Sequence, residues 1–284
     1  MINFTLSGLF SRAIWAMIWA AALNCASAAE PTWRLVWADE FDGAKLDYNK
    51  WAVEENAHGG GNNELQFYVD RTENVRVEKG CLVIEARKEE FESAGQKRSY
   101  TSGRIRTRDR ADWKYCRVEV RAKLPTGRGL WPAIWMLPAQ ARYGGWAASG
   151  EIDIMELVGH EPNTVFGTLH YGSKWPGNVH TGKTFVLTKG TFADDFHEFA
   201  LEWEQGVIRW YVDGALYQTQ TQWRSDGGDF PAPFDQAFYL ILNVAVGGNL
   251  PGPPAADTVF PQRMLIDYVR VYQRKPVSFS AQKP

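Results

Sequence analysis

The sequence predicts an all-β protein, a β-sandwich of jelly-roll type, on three observations. Short runs rich in β-branched and aromatic residues recur along the chain, and several alternate apolar with polar residues. Turn signals separate them. No long amphipathic helix is evident after residue 30, and the number of short antiparallel strands at this length suits two packed sheets.

The elements justify that reading in order. "CLVIEAR" (Cys81–Arg87) and "RVEVRAKL" (Arg117–Leu124) read as strands. "EFALEWE" (Glu198–Glu204) and "GVIRWYVDG" (Gly206–Gly214) read as antiparallel partners joined at Glu204–Gly206, with a second turn at Asp213–Gly214. "FYLILNVAVGG" (Phe238–Gly248) and "MLIDYVRVYQ" (Met264–Gln273) complete the set. Three stretches rich in Gly, Asn, Trp, His and Arg read as irregular and cleft-lining: "ENAHGGGNNELQFYVD", "PTGRGLWPAIWMLPAQARYGGWAASG" and "HYGSKWPGNVHTG". Cys81 and Cys116 lie in strand-like runs, where buried thiols and a bridge are both open readings.

The ends read differently from the middle. Arg12, the apolar run Ala13–Leu23 and the small-residue segment Cys25–Ala29 form an export signal cleaved after Ala28 or Ala29. Residues 1–29 are therefore expected to leave. A domain over 30–275 follows, then a frayed tail over 276–284. The mature protein is expected outside the cytoplasm and off the membrane, as a monomer. A net charge of −2 argues against nucleic-acid binding by a broad basic surface. Core filling explains most of the 13 Trp, 11 Tyr and 15 Phe, but Trp clusters flanked by Gly and Pro are harder to assign to core alone, and flat rings stack on pyranose faces, which suggests carbohydrate.

"SGEIDIMELVG" (Ser149–Gly159) carries the chemistry. On a regular strand Glu151 and Asp153 share a face and Glu156 falls on the other. One extra residue, most simply Met155, forms a β-bulge that restores the phase. The three acids then face one way, with Ile152, Ile154 and Leu157 inward. The Cα atoms of Glu151 and Glu156 would lie about 13 Å apart. Long side chains leaning together can close the carboxyl gap to about 5–6 Å, the range for retaining glycoside hydrolysis. An acidic solvent face or a metal-binding strand is the bland alternative for E-x-D. Apolar flanks and Trp-rich neighbours favour catalysis, because crowded acids repel unless something is gained.

With these residues the chain resembles glycoside hydrolase family 16, in its laminarinase branch. "GEIDIMELVG", "NNELQFY" (Asn62–Tyr68), "GLWPAIWMLP" (Gly129–Pro138), "LHYG" (Leu169–Gly172), "WYVDG", "LNVAVGGN" and "IDYVRVYQ" carry the likeness in order, over Trp37 to Gln273. The resemblance implies a curved jelly roll with a groove on its concave sheet. It also implies retaining endo-hydrolysis of β-1,3-glucan, needing no cofactor for the chemistry. It assigns Glu151 as nucleophile, Glu156 as general acid/base and Asp153 as the residue that tunes them. Trp131, Trp135, Trp146 and Trp175 match sugar-stacking positions, and Asn62, Arg104, His170 and Asn249 match polar contacts to the sugar. Trp131 and Trp135, four apart around Pro132, leave open which is core. His170 could equally be a hydrogen-bonded strand histidine, and Arg104 a surface charge. Members often carry a structural calcium on the convex side, and Glu40, Gly80 and Asp267 occupy the matching positions. Where relatives read "GGNWPG" this chain has Leu250, so one stacking surface is expected to be lost. Mixed-linkage glucan or galactan as substrate, or a non-catalytic glucan-binding module, are the rival readings.

Overall fold

Alternation sets the strands. In "RVEVRAK", Val118, Val120 and Ala122 enter the core while Arg117, Glu119 and Arg121 face out. The computed structural model describes residues 33–274. The expected leader and tail lie outside the described residues. The strands are β1 (Trp33–Asp39), β2 (Ala52–Val53), β3 (Gln66–Tyr68), β4 (Val75–Glu78), β5 (Cys81–Ser93), β6 (Gln96–Ser102), β7 (Arg104–Arg106), β8 (Arg117–Lys123), β9 (Leu130–Pro138), β10 (Glu151–Glu156), β11 (Thr164–Gly172), β12 (Asn178–Val186), β13 (His197–Glu204), β14 (Val207–Val212), β15 (Ala215–Gln220), β16 (Phe238–Val246) and β17 (Gln262–Arg274). Among the described residues the helical content is one 3-10 turn, Gly59–Gly61.

Two sheets result. One runs β12-β11-β10-β9-β16-β7-β2. The other runs β15-β14-β13-β8-β17-β5-β6-β3, with β1 also on β17 and β4 on β5. The expected β13–β14–β15 meander is present, and Asp213 (φ 49°) and Gly214 (φ 76°) make its two-residue turn. One pair departs from an all-antiparallel arrangement: β3 lies parallel to β6.

The two sheets enclose one large apolar core. β16 is buried along its whole length because it is central and covered on both faces. Leu240, Leu242, Val244 and Val246 point into the sandwich, and Tyr239, Ile241, Asn243 and Ala245 to the opposite side. Two segments expected to be irregular are strands instead. Leu130–Pro138 is β9, in the middle of its sheet, and much of "HYGSKWPGNVHTG" is the β11–β12 hairpin. Gly and Pro suggested loops there. Pro132 is tolerated because it lies just past the end of β10, where its carbonyl still accepts the Leu157 N–H and the ladder needs no donor from it, and Pro138 ends the strand. The two cysteines among the described residues are free: Cys81 starts β5 beside Asp267, whereas Cys116 precedes β8 near the far end of β17.

Candidate active site

β10 lies between β9 and β11, and its register breaks after Asp153 on both sides. Asp153 pairs with Trp135 and Met155 with Ile134, while Asp153 pairs with Thr168 and Glu156 with Phe166. Ile154 and Met155 thus stand together opposite Gly167, and both enter the core beside Ile152 and Leu157. Glu151, Asp153 and Glu156 are left on the outward face. Met155 is one of two residues sharing the bulge, rather than an insertion alone.

A bulge interrupts a ladder, and a buried carbonyl left without a donor costs about 1–3 kcal/mol. The other sheet supplies the donor. Trp210, fully buried on β14, reaches across the sandwich and gives its Nε1–H to the Asp153 carbonyl at 2.8 Å. Gly167 is what lets it in. A Cβ at that position would fall inside contact distance of the Trp210 ring and 2.7 Å from the Tyr217 hydroxyl. Gly167→Ala is therefore expected to cost about 1–3 kcal/mol, read as several degrees of Tm by calorimetry. Gly145→Ala, whose Cβ would meet nothing within 4 Å, is the control and should leave Tm unchanged.

Indoles surround the carboxylates. Trp146 Nε1–H donates to Glu151 Oε2 at 2.7 Å, and Trp131 Nε1–H to Glu156 Oε1 at 3.0 Å. Trp135 Nε1–H instead donates to Asn243 Oδ1 at 2.7 Å. Neither Trp131 nor Trp135 is core; both alternate outward along β9. His170, opposite Glu151 on β11, places Nε2 3.3 Å from Asp153 Oδ2 and 3.8 Å from Glu151 Oε1, with its ring between Trp146 and His180. Arg104 packs its guanidinium 4.8 Å from the Trp135 ring centroid and lies 3.4 Å from Glu54, so it belongs to this face and is not a free surface charge.

Burial raises all three acids. Glu151 is pushed up to about 8, by desolvation first and then by the Asp153 charge, against His170 and the Trp146 donor. Asp153 rises to about 8 by desolvation. Glu156 is raised well above the usual range by desolvation and by both neighbouring charges, with Trp131 opposing. Burial and mutual repulsion thus act in the same direction on Glu151 and Glu156, favouring the protonated form of each.

The remaining expected contacts are spread around this centre. Asn249 donates its backbone N–H to the Asn62 carbonyl at 2.8 Å and accepts from Asn63 Nδ2 at 2.9 Å, which clips two loops together. Trp175 is 69% exposed, on a loop whose backbone N–H bonds to the Trp146 carbonyl. Leu250 is also exposed. Glu54, Tyr68 and Asn243 went unnoticed in the sequence; a lone Asn inside the apolar run "FYLILNVAV" was the available signal.

The carboxylates expected around a structural calcium are held in ion pairs. β17 and its neighbours bring Glu40, Gly80 and Asp267 to one region. But Arg270 grips both oxygens of Glu40 at 2.8 Å, and Arg121 holds Asp267 at 2.6 Å. Each carboxylate already has its countercharge.

Residues 62–270 match the model of glycosyl hydrolases family 16. The chain belongs to that family. It is 45% identical over 260 residues to a glucan endo-1,3-beta-glucosidase A1 of Niallia circulans, covering 85% of this chain but 38% of that protein. It is 46% identical to a beta-glucanase of Rhodothermus marinus, covering 86% of each. Among solved structures, the catalytic domain of an endo-1,3-beta-glucanase (laminarinase) from Thermotoga petrophila superposes with a TM-score of 0.78 at 43% identity, over 87% of this chain and 100% of that one. The family 16 chain therefore has the jelly-roll sandwich of its relatives, and glycoside hydrolysis as its chemistry.

Proposed function

We propose that this family 16 protein is an exported, retaining endo-β-1,3-glucanase acting on laminarin-type polysaccharide. The observation that carries the reading is the pair Glu151 and Glu156 on one strand face, each fixed by an indole N–H. The names of its relatives support the linkage, and the leader pattern supports export. Glu151 attacks the anomeric carbon while Glu156 protonates the departing glycosidic oxygen. Glu156 then takes a proton from water, which displaces Glu151 from the sugar. Trp135 and Trp146 offer ring faces to the sugars, and His170 and Arg104 offer N–H donors.

The test is a product profile on laminarin, lichenan and agarose, with the anomer first formed read by proton NMR. Laminarin as the best substrate and a β-anomer product are expected. Binding without release of reducing ends, an α-anomer, or preference for lichenan or agarose would remove the reading.

Asp153 tunes both partners through its charge, so its removal has a predictable sign. A negative neighbour raises a carboxyl pKa. Asp153→Asn therefore lowers that of Glu151 and of Glu156. Both limbs of the kcat/KM–pH profile are expected to move to lower pH, the alkaline limb because Glu156 loses its proton sooner. An unmoved alkaline limb would show that Asp153 does not act through charge.

A further inference from the structure

Three indoles lie around the carboxylate row, and the Trp135 N–H is the one that bypasses the carboxylates. An indole can only donate, so Asn243 must turn Oδ1 toward it. The Asn243 amide then faces Tyr68, and Nδ2 donates to the Tyr68 hydroxyl oxygen at 3.2 Å. With that oxygen accepting, the phenolic proton must go elsewhere, and Glu64 Oε2 lies 3.3 Å away. Gln66 Nε2 donates to the same oxygen at 2.6 Å, while Gln66 Oε1 accepts the Val246 N–H at 2.7 Å. Every bond in the chain thus has one sense, and all of them end on Glu64.

The chain is buried. Glu64, Gln66, Tyr68 and Asn243 are each at most 8% exposed, so a missing partner could not be replaced by bulk water. The Gly59–Gly61 turn wraps the Glu64 carboxylate, and a side chain at Gly60 (φ 56°) would occupy the space of Glu64 Oε1. Trp135 pairs with Asp153 in register, so its ring plane lies beside the catalytic row.

We propose that Glu64 is a positioning residue for sugar binding: as terminal acceptor of the Glu64–Tyr68–Asn243–Trp135 chain, it fixes the plane of the Trp135 ring on which a glucosyl unit stacks. The proposal rests on the glucanase reading above. Both catalytic carboxylates lie outside the chain, so its loss acts on substrate binding more than on bond breaking.

The test uses Glu64→Leu, Glu64→Gln and Tyr68→Phe in the full chain, with laminarin kinetics and Tm for each. Gln can still present an acceptor oxygen at the Oε2 position and is expected to stay near wild type. Leu is expected to raise KM about tenfold with kcat within about twofold. Tyr68→Phe, which keeps the ring and cuts the link, is expected to raise KM in the same direction. A laminarihexaose titration followed by tryptophan fluorescence, in a Glu151→Gln background, is expected to weaken by the same factor and does not depend on turnover. Unchanged KM and binding in folded Leu and Phe variants would overturn the proposal, as would equal impairment by Gln and Leu. Loss confined to kcat and Tm would overturn it too, since that is what a merely structural role produces. Absence of hydrolysis by the wild-type protein would instead count against the glucanase reading, with the fluorescence titration still deciding the role of Glu64.

Discussion

Glu151→Gln is expected to lose at least about three orders of magnitude in laminarin hydrolysis, a loss of roughly 4 kcal/mol of transition-state stabilisation, while remaining folded. The amide keeps the size of the side chain and an oxygen to accept the Trp146 N–H. What it loses is the ability to form a covalent bond to the anomeric carbon. Stability should move the other way. The unfolded chain gives up the Glu151 proton near the ordinary value of 4.5, and the folded chain not until about 8. Over that window the folded state binds more protons, so the wild type loses stability as pH rises through it. Glutamine carries no such proton. The Tm of the variant is therefore expected to exceed that of the wild type, by a margin that grows from about 4.5 to about 8. Activity above a few per cent in a folded variant would remove Glu151 as nucleophile. A margin that shrinks with pH would remove the account of its burial.

That opposition between stability and activity bears on how much could be read in advance. The β13–β14–β15 meander was legible because its signals are local: a run, a Gly or Asp-Gly turn, another run. So was the bulge, since three acids spaced by two and then three among apolar residues cannot share a face without one. The same local reading misjudged β9, because Gly129, Pro132 and Pro138 resemble loop punctuation, and only the neighbouring strands decide that the segment is central. Nor could it see partners set by tertiary approach. Trp210 meets the Asp153 carbonyl from 57 residues away, and Tyr68 meets Asn243 across 175. Arg270 and Arg121 take the carboxylates that looked suited to calcium, and nothing near Glu40 or Asp267 in the chain announces them as partners across the strands. Local pattern thus located the reactive residues, and long-range hydrogen bonding decided how they are held.

Glu156→Gln separates the two chemical roles. A sugar alkoxide is a poor leaving group and needs a proton as it departs, so hydrolysis of laminarin is expected to fall about 10²- to 10⁴-fold. An aryl β-laminaribioside with a dinitrophenolate leaving group needs no such proton. Its first step should survive, and the glycosyl-enzyme should accumulate because no base activates the water. Azide, which attacks without giving up a proton, is then expected to restore turnover and yield the β-glycosyl azide. That outcome requires Glu151 to be the residue carrying the sugar, and it requires Glu156 to stand on the same face despite its odd spacing. The bulge at Ile154–Met155 supplies that placement, and the Trp131 N–H holds it. If the aryl substrate were as badly impaired as laminarin and azide had no effect, Glu156 would not be the proton donor. An α-glycosyl azide would mean that the covalent intermediate forms elsewhere, and the order of the two glutamates would have to be reversed.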